Sequence, residues 1–233
     1  MMLAAPPQNN DLRGHGAMTR GFELVHADAS LLVLNKPAGL LSVPGKGEDK
    51  QDCLSTRVQQ HYPDALVVHR LDMATSGLLL MARSISIQRV LGALFERRQV
   101  DKRYVAVVDG ELADAPSDGG WGLIDLPIVV DWPRRPIRII DAEHGKASQT
   151  RWRVLAHDAA AHTTRLELAP LSGRSHQLRV HLQAIGHPIL GDRLYGSDAQ
   201  QARARRLLLH ASRLQFAHPV SGEMLAFESA PPF

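Results

Sequence analysis

A carboxylate set between two apolar runs constrains this chain more than any other feature. Residues 67–80 read Val67-Val68-His69-Arg70-Leu71-Asp72-Met73-Ala74-Thr75-Ser76-Gly77-Leu78-Leu79-Leu80. Val67-Val68 at one end and residues 78–81 at the other are short, apolar and bounded by polar residues or glycine, the pattern of brief buried strands. Between them lie one carboxylate, Asp72, and one guanidinium, Arg70, and Ser76-Gly77 supplies a turn pair ahead of the second strand. A carboxylate held between core strands is costly unless something pairs with it. Asp72 is therefore either a structural residue capping a turn through local bonds or a group kept for chemistry.

The insert resembles the active-site motif of the RluA-type pseudouridine synthases, His-Arg-Leu-Asp followed by Thr-Ser-Gly, which stands complete here as residues 69–72 and 75–77. A protein-kinase catalytic loop also opens His-Arg, but its Asp follows directly, and no Gly-rich phosphate loop or Asp-Phe-Gly occurs in this chain. Further blocks carry the same resemblance from about Phe22 to the C-terminus. They are Asn35-Lys36-Pro37, the Lys102-x-Tyr104 strand, Gly173-Arg174-Ser175-His176-Gln177-Leu178-Arg179, and Gly186-His187-Pro188 through Gly196, the last read as structural. Asp131-Trp132-Pro133-Arg134-Arg135-Pro136 is similar to a narrower branch, the one that gives the family its name.

The resemblance implies a role for each matching residue. Asp72 is the catalytic carboxylate, Tyr104 the aromatic that stacks on the target base, and Arg174 the arginine that pairs with Asp72. Arg70 would fill the space left by an extruded uridine, and Leu178 would floor the pocket. His69, Thr75, Arg134 and Arg135 complete the RNA-binding set. Taken singly, each has a plainer reading: Tyr104 as a core aromatic, Arg70 in a surface salt bridge, Leu178 as helix core. The implied fold is α+β, a mixed, mostly antiparallel sheet with flanking helices and a central RNA-binding cleft. The implied activity is isomerisation of uridine to pseudouridine in structured RNA loops, a 23S rRNA hairpin and the tRNA anticodon stem-loop.

The remaining chain divides without a long linker or internal repeat. Residues 1–20 combine Pro6-Pro7, Asn9-Asn10 and scattered glycine with little apolar content, the pattern of a flexible extension. Residues 21–233 read as the catalytic domain, with no room for an S4-like RNA-binding domain ahead of it. A strand over residues 31–34 is followed by a Gly/Pro loop, and Leu54, Val58 and His61 recur at helical spacing before Pro63. Ile87, Val90, Leu91, Leu94 and Phe95 define an amphipathic helix with Ser84 or Ser86 as N-cap. β-Branched residues mark a strand at 102–110, and residues 111–148 form a hairpin-rich insertion. Alternation marks strands at 150–155 and 164–168. A helix capped by Ser175 runs to Gly186, a second spans 198–207, and the last strands begin at residue 208.

Composition sets outer bounds. No apolar run approaches the length of a membrane span, the first residues lack a secretion signal, and one cysteine, Cys53, excludes an internal disulfide and fits a reducing cytoplasm. A net charge of +3 does not by itself indicate nucleic acid. Of the 27 basic residues, however, 22 are Arg, and the basic residues cluster at Arg97-Arg98 with Lys102-Arg103, at Arg134-Arg135 with Arg138, and at Arg203, Arg205 and Arg206. Such clusters suit phosphate forks and base stacking. Twelve histidines show no close ligand spacing with the lone cysteine or with carboxylates, so neither metal nor organic cofactor is expected. RNA is the expected partner, with no membrane and no obligate protein partner, and the expected state is a monomer. Two other classes remain open: a catalytically silent RNA-binding module on the same fold, and a metal-dependent nuclease, which EDTA would silence.

Overall fold

A computed structural model of the chain describes residues 21–115 and 118–233, so the extension expected over residues 1–20 lies outside it. The strands are β1 (Glu23–Ala27), β2 (Leu31–Lys36), β3 (Leu66–Val67), β4 (Ser76–Ala82), β5 (Asp101–Asp109), β6 (Gly122–Asp125), β7 (Ile128–Val130), β8 (Arg138–Ile140), β9 (Gln149–Asp158), β10 (Thr163–Pro170), β11 (Leu209–Ala217) and β12 (Met224–Glu228). The α-helices are α1 (Leu54–Gln59), α2 (Ile85–Glu96), α3 (Gln177–Ala184) and α4 (Asp198–Ala202). A ten-stranded sheet runs β1-β2-β4-β11-β5-β10-β9-β6, with β3 added to β4 and β12 to β11, while β7 and β8 form a separate hairpin. Among the strand pairings of the described residues, only β4–β11 is parallel. The α+β class and the mixed, mostly antiparallel sheet are as the family resemblance implies.

β4 is buried along its whole length, which explains its unbroken apolar run, because both faces carry core. Leu79 and Met81 pack with Leu32, Leu34 and the α1 residues Leu54 and Val58 on one face. Leu78 and Leu80 pack with Leu31, Val33 and Leu91 of α2 on the other. Across β11, Ala106, Val108, Leu166 and Leu168 meet Leu178 and Leu182 of α3. Tyr104 touches both the α1-side and α3-side clusters, which places it at the seam between the two halves.

Four expectations need correction. Ser76-Gly77 is no turn: both residues belong to β4 and pair with His210 and Ala211 of β11. Gly77 has φ 112°, and a Cβ there would lie 2.3 Å from the Ala211 carbonyl oxygen, so glycine is required for close approach of the parallel strand. Ser84 does cap α2, accepting from the Ile87 N–H at 3.3 Å, but Val90 lies on that helix's exposed side. Helix α3 begins at Gln177 after His176, whose φ of 60° turns the chain into it, so Ser175 is not its cap. Helix α4 ends at Ala202, well short of residue 207. Past it, the arginines turn to partners across the fold, Arg203 to Asp109 and Arg206 to Ser76.

Candidate active site

Asp72 lies in the loop of residues 68–75, directly before β4 and beside the seam. The loop is strapped from below. Ser42 Oγ donates to the Leu71 carbonyl at 2.7 Å and accepts from the Leu71 N–H at 3.1 Å. The Gly39 N–H donates to the Met73 carbonyl at 2.8 Å. Lys36, fully buried, donates from Nζ to the carbonyls of Pro37, Leu40 and Met73 at 2.9, 2.6 and 3.1 Å. Burial pushes its ammonium down to about 7, against the opposing pull of Asp72. A closing bond from the Thr75 N–H to the Asp72 carbonyl, 3.1 Å, completes the turn and buries Thr75. These bonds fix the course of the chain that carries Asp72 before it enters β4.

The arginine beside Asp72 is Arg179, not Arg174. Arg179 Nη1 lies 3.4 Å from Asp72 Oδ2. The same guanidinium grips the fully buried Asp192 with a two-pronged bond, Nε to Oδ2 at 2.7 Å and Nη2 to Oδ1 at 2.6 Å. Burial alone would lower the Arg179 pKa, but the bonds and charge of Asp192, and then the charge of Asp72, outweigh it and leave it raised. The Tyr195 ring lies 5.0 Å from the guanidinium. His176 Nε2 stands 3.9 Å from Asp72 Oδ2, and its Nδ1 shares a 2.7 Å hydrogen bond with the Tyr195 hydroxyl.

The physical reason for the exchange is the start of α3. Because the helix begins at Gln177, Arg179 sits in its first turn and projects with Leu178 and Leu182 into the fold, where all three are buried. Arg174 remains in the preceding loop, its backbone N–H donating to Gln177 Oε1 at 3.0 Å while its side chain lines the cleft. Gln177 secures that loop by donating to the Gln149 carbonyl at 2.9 Å.

The other expected residues divide by surroundings. Tyr104, Arg70, Thr75 and Leu178 line the same cleft as Asp72. Burial, with the Asp72 charge adding to it, raises the Tyr104 pKa, so its phenol stays neutral. Arg70 is exposed on the cleft wall, and Leu178 serves as both cleft lining and core. His69 borders the cleft, but its ring is committed inward: Nε2 accepts the Leu80 N–H at 3.0 Å and the ring stacks on Phe95 at 4.5 Å. Burial pushes its pKa down to about 3, with Lys102 contributing, which keeps Nε2 free to accept. Arg134 and Arg135 stand outside the cleft lining, on the β7–β8 connection: Arg134 pairs with Asp131, and Arg135 lies over the Trp132 ring.

The cleft has a volume of about 1540 Å³, beyond the usual range for a small-molecule pocket. Its lining carries nine Arg and one Lys against Asp72, Glu96 and Asp101. A protein of net charge +3 thus concentrates its positive charge where Asp72 lies. Such a surface suits a polyanion whose backbone tracks the walls while one unit enters the floor.

Comparison with known proteins agrees with that geometry. Residues 30–184 match the RNA pseudouridylate synthase family. The dual-specificity RNA pseudouridine synthase RluA of Escherichia coli (strain K12) is 47% identical over 210 residues, covering 90% of this chain and 93% of that protein. The protein of the same description from Haemophilus ducreyi is 44% identical over 219 residues, covering 94% and 97%. Among solved structures, human RNA Pseudouridylate Synthase Domain Containing 1 superposes with a TM-score of 0.75 at 29% identity, covering 92% of this chain and 85% of that one. Fold and cleft therefore define an RNA pseudouridine synthase, an isomerase. Within that class, the chain belongs to the RluA family.

Proposed function

We propose that this enzyme converts uridine to pseudouridine in exposed loops of structured RNA, with Asp72 as the reacting carboxylate. The observation that carries the reading is the Asp72 carboxylate, about one-third exposed, paired with Arg179 at 3.4 Å on the floor of a strongly cationic cleft. Isomerisation breaks the bond between ribose C1′ and uracil N1, turns the base and joins C1′ to C5; C5 loses a proton and N1 gains one, with no net change in atoms. Asp72 acts on the ribose either as nucleophile or as base. Arg179, fixed by its fork to Asp192, holds the carboxylate in direction while leaving one face open.

Extruding the uridine costs a few kcal/mol. Stacking on Tyr104 offsets part of that, at roughly 1–3 kcal/mol per base, and the exposed Arg70 guanidinium takes the space vacated in the RNA. Arg174, with the other cleft arginines, binds phosphates. His69 contributes by shaping the Asp72 loop, Thr75 closes that loop, and Leu178 lies under the base. Arg134 and Arg135 extend the RNA surface beyond the cleft.

The match to proteins described as dual-specificity supports two RNA substrates, and the motif resemblance suggests an rRNA hairpin and the tRNA anticodon stem-loop for them. Residues 21–233 act as the catalytic domain, as a cytoplasmic monomer. Among the described residues no helix is long and apolar enough to cross a membrane. Mapping pseudouridine in total RNA from cells with and without this gene tests the reading: sites in an rRNA loop and in tRNA anticodon arms should vanish together. An unchanged map would refute it.

A further inference from the structure

The β7–β8 hairpin carries an aromatic that the uridine pocket does not use. Trp132 is 65% exposed, whereas Trp121 and Trp152 are both partly buried. The Arg135 guanidinium carbon lies 3.3 Å from the Trp132 ring centroid, a contact that caps one face of the indole. A ring capped on one side and still so exposed presents its other face to solvent.

The platform is stiff. Asp131, 8% exposed, accepts from the Arg134 backbone N–H at 3.3 Å and from Arg134 Nε at 2.6 Å. The Asp131 N–H donates to the Ile137 carbonyl at 3.1 Å, and the Ile137 N–H to the Arg134 carbonyl at 3.0 Å. Ile128, Ile137 and Ile140 of the hairpin pack against Val180 and Tyr195, and the Arg138 N–H donates to the Tyr195 hydroxyl at 2.9 Å. That hydroxyl also bonds to His176, the neighbour of Asp72. Pro136, four residues beyond Trp132, lines the cleft itself. The tip is thus mounted on the catalytic framework beside the cleft mouth.

We propose that Trp132, backed by Arg135, is a stacking site for a second unpaired base of the RNA loop, distinct from the uridine at Tyr104. An indole with one open face recognises a planar ring without regard to sequence. The guanidinium behind it and Arg134 beside it favour a ring carried on a phosphate backbone. Asp131, the acid in this turn, is already occupied by Arg134, so an acidic protein partner and a nucleic acid would both meet positive charge. The open aromatic face decides for a nucleobase, and the fixed turn lowers the ordering cost of binding. The inference rests on the proposed RNA-loop substrate.

The test uses the full chain and a synthetic tRNA anticodon stem-loop. Trp132→Ala should weaken RNA binding by about 5- to 150-fold, the range for loss of one aromatic–base stack, and Trp132→Phe should recover much of it. The melting temperature should be unchanged, since the side chain is exposed. The slope of log Kd against log salt should be unchanged for Trp132→Ala, but shallower by about one for Arg134→Ala. Replacing loop nucleotides other than the target uridine one at a time by abasic residues should reveal one at which Trp132→Ala no longer has an effect. Binding of Trp132→Ala within two-fold of the parent, or an equal loss on every abasic RNA, would overturn the proposal. So would intact RNA binding combined with loss of a self-association seen by sedimentation, since the face would then be a protein contact. If the parent protein forms no pseudouridine in any RNA loop, the functional reading itself fails; if the parent does and Trp132→Ala matches it, only the stacking site falls.

Discussion

Removing the Arg179 guanidinium should cost stability as well as turnover, because it leaves two carboxylates without their shared cation. Asp192 is fully buried and Arg179 nearly so, with 5% of its side chain exposed. Breaking a buried pair by deleting one partner typically costs about 3–5 kcal/mol. For a chain of this size each kcal/mol moves the melting temperature by about 2–4 °C, so Arg179→Ala should melt on the order of 6–20 °C below the parent. Asp192→Asn on that background should return part of the loss. It discharges the stranded group while its side-chain oxygen still accepts the Leu194 and Tyr195 N–H groups, which now bond Asp192 Oδ1 at 2.9 and 3.2 Å. Arg179→Lys keeps a charge but loses the fork, so it should fall between parent and alanine in both melting and turnover. Arg174→Ala is the contrast: a normal melting curve, weaker RNA binding and a salt slope reduced by about one. Scanning calorimetry with RNA titrations separates the two arginines. If Arg179→Ala melts within 2 °C of the parent while Arg174→Ala is strongly destabilised, the pairing assigned to Asp72 is wrong.

Tyr104→Ala should weaken binding of the extruded base by roughly 1–3 kcal/mol, while Tyr104→Phe keeps most of the stacking; normal single-turnover rates for the alanine variant would reduce Tyr104 to core. Lys36 gives a pH signature. Its pKa, pushed down to about 7 by burial, returns towards 10.5 on unfolding, so between those values the unfolded chain binds the extra proton. Stability from this group should therefore rise as pH increases from about 7 to about 10.5. Urea unfolding at about pH 7 and pH 9 should show that rise in the parent and not in Lys36→Met, and parallel changes in the two proteins would contradict it.

Much of this site was legible in the sequence because its chemistry is local. The residues 69–72 block sets its carboxylate a few positions ahead of the buried strand, and β4 follows from an apolar run buried on both faces. The strand of Tyr104 was legible from β-branched content. The arginine partner was not, because its identity depends on where α3 starts. One left-handed residue, His176, decides that, and no side-chain pattern announces it. A signal did exist: Arg179 lies inside the run Leu178 to Leu182, and an arginine there must be buried and so needs a carboxylate. That carboxylate, Asp192, sits in the block read as structural, as does Tyr195. Ser76-Gly77 looked like a turn because Ser-Gly pairs usually break strands; only the sheet order shows β11 passing close enough to require a glycine. The buried Lys36 likewise gains its meaning from three carbonyls that converge only in the fold.

The most direct test of the role given to Asp72 is a single-turnover assay of Asp72→Asn, with enzyme in excess over a labelled anticodon stem-loop and pseudouridine quantified in the recovered RNA. The substitution keeps the shape of the side chain and removes its charge 3.4 Å from Arg179. The expected result is RNA affinity within a few-fold of the parent and no pseudouridine formed. Product accumulating at close to the parent rate would take the Asp72 carboxylate out of the reaction.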